Sequence, residues 1–80
     1  MAKVVFPDHL LSHTNGEREL EVDCNSFRSL VQALNRRWPG IDEVLEKTAV
    51  AIDGQIYQDA WLEKIGPQSE VFFMQRIEGG

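Results

Sequence analysis

The strongest periodic pattern in the chain is helical and begins after Ser26. One face of the predicted helix is apolar, with the 3.6-residue spacing of an amphipathic helix. Its apolar positions are Phe27, Leu30, Val31, Leu34 and Trp38. Ser26 is a residue type that favours a helix N-cap, and Pro39-Gly40 is a typical stop signal. The pattern therefore predicts one main helix, followed by one or two further turns around residues 41–45.

Five shorter segments have the composition of β-strands. They cover residues 3–6, 17–23, 48–52, 55–57 and 70–77. Asp53-Gly54 is a strong signal for a tight hairpin between the third and fourth strands. Residues 8–14 are expected to form a loose connection that ends in a turn at Asn15-Gly16. The order β-β-α-β-β-β predicts an α+β domain in which a mixed sheet curls over the main helix.

The last predicted strand lacks the usual alternation of apolar and polar residues. Its residues 71–74 are Val, Phe, Phe and Met, so both of its faces are apolar. Either the strand is central and covered on both sides, or its outer face meets a partner. Because one helix covers only one face of a sheet, we expect the outer face to be exposed. An exposed apolar patch of this kind is typical of an interaction site.

Composition and charge narrow the classes of function. The chain has 80 residues, 42% of them hydrophobic, which predicts one globular domain. Its net charge of −5 argues against nucleic acid and favours a partner with a basic docking surface. No apolar run is long enough to span a membrane, and no signal peptide is recognisable. With a single cysteine, these features predict a cytoplasmic protein that does not bind membranes.

Few side chains suggest chemistry of their own. Cys24 lies at the predicted helix start, but Asp23 beside it disfavours a thiolate, so an incidental cysteine is favoured. His9 and His13 have a spacing that could hold metal on a helix, but Pro7 and the following turn predict a loop there. Trp38 and Trp61 are expected in the core or at its edge. We therefore predict no metal site, no bound cofactor and no independent enzyme activity.

The sequence ends in Ile77-Glu78-Gly79-Gly80. Glycine has no Cβ, so a Gly-Gly tail can lie in a channel too narrow for any larger side chain. It also leaves the Gly80 carboxylate unhindered. Both properties suit a reaction at that carboxylate. The same residues are also typical of a frayed terminus without function.

These features together resemble the ubiquitin-like sulfur carriers, namely the small subunit of molybdopterin synthase and the sulfur carrier of thiamin biosynthesis. The resemblance is densest in residues 50–54, 65–73 and the tail. Gln68 and Ser69 replace the Gly-Asp that the family usually has before its last strand. Gln75-Arg76-Ile77 matches the usual approach to the tail in neither branch, so the pathway stays open.

The resemblance implies a β-grasp domain over residues 1–77 and a mobile tail over residues 78–80. It also implies a reaction cycle with three partners. An E1-like adenylating enzyme would use ATP to activate the Gly80 carboxylate, with Gly79 threading the channel. A sulfur donor would convert the adenylate to a thiocarboxylate, and a biosynthetic enzyme would accept the sulfur.

The resemblance to ubiquitin, aligned back from the glycines, also sets the phase of the last strand. Val71 and Phe73 then face the core, whereas Phe72, Met74 and Arg76 face outward. By the same rule Val50 and Ile52 point inward, and Ala49 and Ala51 point outward beside Phe72. The predicted partner-binding residues are Phe72, Met74, Arg76, Ile77, Glu78, Ala49 and Ala51.

Two alternatives remain. The chain could be a ubiquitin-like modifier, joined through Gly80 to lysines of other proteins. It could also be a pure interaction module in which Gly-Gly is accidental.

Overall fold

The computed structural model describes residues 1–76. Five strands form one sheet, and two α-helices and a short 3₁₀ helix lie between them. In chain order these are β1 (Ala2–Val5), the 3₁₀ helix (Asp8–Leu10), β2 (Glu19–Val22), α1 (Phe27–Arg37), α2 (Ile41–Leu45), β3 (Thr48–Ile52), β4 (Gln55–Tyr57) and β5 (Glu70–Gln75).

The sheet is mixed, with strand order β2-β1-β5-β3-β4. β5 is its central strand, parallel to β1 and antiparallel to β3, while the hairpins β1–β2 and β3–β4 are antiparallel. This is the predicted α+β architecture, a β-grasp sheet packed on one main helix. Within residues 1–76, no helix has the length and apolar character needed to cross a bilayer.

Helix α1 begins where its sequence predicts. The Ser26 hydroxyl accepts a hydrogen bond from Ser29 N at 3.1 Å, and Ser26 N donates to the Ser29 hydroxyl at 3.1 Å. Two helix-end amide groups are thus satisfied by side chains, as in a capping box. The predicted apolar face of α1 is buried, and Leu30 and Leu34 are completely covered.

Aromatic rings join the helix to the sheet. Phe6 stacks on Phe73 with ring centroids 5.8 Å apart, and its ring lies edge-on to Trp38 at 5.7 Å. Phe27, the first residue of α1, reaches Phe73 at 6.0 Å. Pairs of this kind contribute about 0.5–1.5 kcal/mol each beyond the area that they bury. The core therefore fixes the inner face of β5 against α1.

The segment between β1 and β2 differs from its prediction in two respects. The connection after β1 is not loose, because it contains the 3₁₀ helix and fully buried Thr14, whose hydroxyl donates to Glu17 O at 2.8 Å. β2 is consequently shorter than predicted and begins at Glu19. Of the two tryptophans expected in the core or at its edge, Trp38 is 9% exposed and Trp61 is 45% exposed.

Candidate docking face and the base of the tail

The central strand β5 has one buried and one exposed face. Val71 and Phe73 are 0% and 4% exposed, whereas Phe72 between them is 41% exposed. The predicted phase of the strand is therefore confirmed. Met74 is partly buried on the same face as Phe72. The role of this face in docking remains a prediction.

The outer face of the sheet carries a continuous apolar row. Phe72 pairs with Val5 of β1 on one side and with Ala51 of β3 on the other. Ala51 in turn pairs with Ile56 of β4, which is 67% exposed. We call these four residues the outer row. Because the row crosses four adjacent strands, its members form one patch.

Two residues of the outer row were missed by sequence reasoning. Ile56 could have been found, since a two-residue turn at Asp53-Gly54 sets the register that pairs it with Ala51. Val5 could not, because its pairing with Phe72 joins strands far apart in sequence.

Ala49 does not belong to an exposed patch as predicted. It is 5% exposed, although strand alternation places its Cβ on the outer face. It pairs with Met74, whose longer side chain is partly buried there. The open part of the outer face is thus limited to the neighbourhood of Phe72, Ala51 and Ile56.

Arg76 also departs from its predicted outward position. Strand β5 ends at Gln75, so alternation no longer sets its direction. Arg76 is half-buried, and its Nη2 donates a hydrogen bond to the carbonyl oxygen of Gln58 at 2.7 Å. Its Nε atom is buried and has no acceptor among residues 1–76. The guanidinium is therefore engaged within the chain.

Charged residues at the β1 side of the outer row are mainly acidic. Lys3 pairs with Glu21 and Glu70 in the strand register, and its Nζ lies 3.7 Å from a carboxylate oxygen of Glu19. One exposed lysine thus faces three glutamates. Such exposed pairs add little to stability, but their net negative charge would attract a basic partner surface.

Asp53 links the β3–β4 hairpin to the start of β5. Its carboxylate accepts hydrogen bonds from the Ser69 hydroxyl at 2.7 Å and from Glu70 N at 3.0 Å. These two bonds, the Ser69 bond first, lower the pKa of Asp53. Asp53 and Gly54 have φ angles of 50° and 87°, the left-handed pair that a tight hairpin turn requires. The constellation positions β5 beside β3.

No other described side chain forms a reactive cluster. Burial, and secondly Asp23, raises the pKa of the Cys24 thiol, which disfavours the reactive thiolate. His9 lies in the 3₁₀ helix, and within residues 1–76 no three His, Cys, Asp or Glu side chains are grouped to hold a metal. The candidate site is therefore the outer row together with the strand that leads to the tail.

The remaining predicted site residues are Ile77, Glu78, Gly79 and Gly80. They lie outside the described residues, as does the predicted mobility of the tail.

Comparison with known proteins finds likeness in structure alone. No protein-family model and no curated protein matches the chain. A chain from the Amycolatopsis orientalis BexX/CysO complex matches with a TM-score of 0.85 at 17% identity, over 100% of both chains. CysO of Mycobacterium tuberculosis, described as an antigen, matches with a TM-score of 0.84 at 15% identity, over 96% of this chain and 100% of its own.

A third solved structure comes from an archaeon. SAMP1 of Haloferax volcanii matches with a TM-score of 0.71 at 17% identity, over 99% of this chain and 98% of its own. At such identities the likeness concerns the fold. The chain has the β-grasp fold that these proteins share, and the predicted resemblance to ubiquitin-like sulfur carriers is confirmed at that level.

Proposed function

We propose that the chain is a sulfur carrier whose C-terminal Gly80 carboxylate is activated and converted to a thiocarboxylate. The observation that carries the proposal is the continuity between β5 and the Gly-Gly sequence. The central strand carries the exposed Phe72 and ends at Gln75. Arg76 is the last described residue, and the sequence continues from it through residues 77–80. A partner that docks on the outer row can thus receive the tail in the same encounter.

The chemistry of the tail follows from the properties of a carboxylate. A carboxylate is a poor electrophile because its oxygen is a poor leaving group. Attack of a Gly80 oxygen on the α-phosphorus of ATP releases pyrophosphate and gives an acyl-adenylate. Hydrosulfide from a sulfur donor then attacks the acyl carbon, and AMP leaves with the carboxylate oxygen. The adenylating partner supplies the ATP site and stabilises the oxyanion.

Docking explains why the reactive carboxylate sits on a folded domain. A thiocarboxylate held on a docked protein is presented to the acceptor at a high effective concentration. One of the structurally similar chains was crystallised in a complex with a second protein, BexX. By analogy we propose that this chain docks on an E1-like adenylating enzyme and then on a sulfur-accepting biosynthetic enzyme.

Removal of Gly80 tests the proposal. Deletion draws the carboxylate back by roughly 3.3–3.6 Å, and a misplacement of about 1 Å can lower a rate on the order of 100-fold. We expect chain-stimulated ATP–pyrophosphate exchange by the adenylating enzyme to be abolished. Gly79→Val keeps the length but adds a branched side chain, and it should fail for lack of space in the channel. Both variants should unfold at the wild-type denaturant concentration.

Undiminished exchange by the truncated chain would exclude activation at Gly80. Where exchange does require Gly80, the intact mass of the products distinguishes a carrier from a protein modifier. Replacement of one oxygen by sulfur identifies the carrier. Heavier species, linked through Gly80 to lysine, identify a protein modifier, which uses the same activation.

A further inference from the structure

The side chain of Arg76 joins the ends of two strands that are not neighbours. Its Nη2 donates to Gln58 O at 2.7 Å, directly after β4, while Arg76 itself directly follows β5. Strand β3 lies between β4 and β5 in the sheet, so the bond links two strand ends that are separated by β3. A charged donor at this distance makes a stronger hydrogen bond than a neutral one.

The acceptor of this bond is held in place by its own surroundings. Trp61 N donates to the Asp59 carboxylate at 3.2 Å, and Glu63 N donates to Ala60 O at 2.8 Å. Ala60 is 3% exposed and belongs to the core. The segment that directly follows Gln58 is thus held by its own hydrogen bonds and by the buried Ala60.

The guanidinium of Arg76 is held by packing and by a hydrogen bond together. Arg76 borders a cavity of about 360 Å³ that includes Phe27, Asp42 and Trp61 in its lining. It also borders a second cavity of about 400 Å³, beside Val44. The Nε atom is buried, and the bond to Gln58 O is the polar contact within residues 1–76 that fixes the Nη2 end of the guanidinium.

We propose that Arg76 is a positioning residue that anchors the base of the tail, so that the Gly80 carboxylate starts from a defined point relative to the outer row. The inference rests on the proposed function. Release of the anchor would free Arg76 and the exposed end of β5. The arrangement that fits a docked partner would then be less populated.

The expected kinetic effect is on apparent binding. If Arg76→Ala lowers the population of the competent arrangement about tenfold, the apparent KM for the chain rises about tenfold. The kcat at saturating chain should stay within about twofold, because a docked partner then holds the tail itself. Arg76→Lys keeps a cationic donor and should recover part of the loss. Arg36→Ala removes the same charge from an exposed site on α1 and is the matched control.

A second variant separates the internal bond from a direct contact of Arg76 with the partner. Asp59→Ala removes the acceptor of the Trp61 N bond, which loosens the turn bearing Gln58 O and leaves Arg76 unchanged. It should raise KM in the same direction as Arg76→Ala. A wild-type KM for Asp59→Ala, beside a raised KM for Arg76→Ala, would overturn the anchor.

Nuclear magnetic resonance of the free chain tests the bond without any partner. In Arg76→Ala, the amide signals of residues 58–60 and the indole N–H of Trp61 should shift. The indole N–H of Trp38, which lies in the core, serves as the internal reference and should not move. Unchanged signals at residues 58–61 would overturn the anchor.

The adenylating enzyme for the kinetic test is one whose ATP–pyrophosphate exchange the wild-type chain stimulates. If exchange requires Gly80 but is indifferent to Arg76, the proposed function stands and the positioning role falls. If no adenylating enzyme shows exchange that depends on the wild-type chain, both fall.

Discussion

On the inner face of β5, Val71 and Phe73 lie under α1 and are almost fully covered, while on the outer face Phe72 is 41% exposed. The side chains on the two faces are equally apolar, and they belong to the same six-residue strand. Their surroundings differ because the helix covers one side of the sheet only. The comparison teaches that apolar side chains of one central strand can be buried in the core on one face and open to water on the other.

The outer face is itself divided. Near the end of β5, Ala49 on this face is covered, and Arg76 beyond the strand end is bonded to Gln58 O. Farther from the tail, Phe72 and Ile56 are open. A docking partner would therefore find its apolar contact area in the outer row, beside a structured base of the tail.

The largest effect that would sharpen this comparison is expected from Phe73→Ala. Truncation of a buried phenylalanine costs about 3–5 kcal/mol of the free energy of unfolding. The ring of Phe73 lies against both Phe6 and Phe27, so its loss leaves a cavity at the centre of the core. The measurement is urea unfolding followed by circular dichroism, with Phe72→Ala as the matched control.

Phe72→Ala should lower the free energy of unfolding by about 1 kcal/mol or less, because the side chain is already partly in water. If Phe73→Ala leaves the chain too unstable to measure, Phe73→Leu replaces it. Its loss of unfolding free energy should be smaller than that of Phe73→Ala but larger than that of Phe72→Ala. Equal losses for Phe72→Ala and Phe73→Ala would erase the distinction between the two faces.

The next effect concerns docking. Phe72→Asp should weaken binding to the adenylating enzyme by about 2 kcal/mol or more, the size of an interface hot spot. The introduced carboxylate would be desolvated in an apolar contact without a partner. Isothermal titration calorimetry measures the change, and the melting temperature should stay near that of the wild type. Wild-type affinity in Phe72→Asp would remove the outer row from the docking surface.

The smallest effect is a pH dependence of stability that arises at Asp53, in the turn between β3 and β4. The folded-state pKa of Asp53 is lowered, because its carboxylate accepts bonds from Ser69 and Glu70. This contribution to stability is present above the unfolded-state pKa of about 3.9 and is lost as pH falls through the lowered folded-state value. Unfolding curves of the wild type and Asp53→Asn should therefore converge on acidification. A difference that stays constant down to acidic pH would contradict the role of the ionised carboxylate.

The sequence was sufficient for much of the local structure. The apolar face of α1, its Ser26 cap and the Asp53-Gly54 turn depend on residues close together in the chain. Their energies are decided by neighbours within a few positions, so periodicity and turn chemistry predict them well. The phase of β5 was also predictable, once the resemblance had supplied a reference at Gly79-Gly80.

Only the tertiary structure decided how distant segments meet. The pairing of Val5 with Phe72 joins β1 to β5, and it completes an apolar row that neither strand reveals alone. The burial of Ala49 and the bond from Arg76 to Gln58 depend likewise on strands brought together by the sheet. Strand alternation determines which side of a strand a residue occupies, but the elements packed there determine whether it is open to water. The sequence by itself therefore determined the helix, the hairpin and the presence of an apolar outer face, whereas long-range packing decided which part of that face remains open.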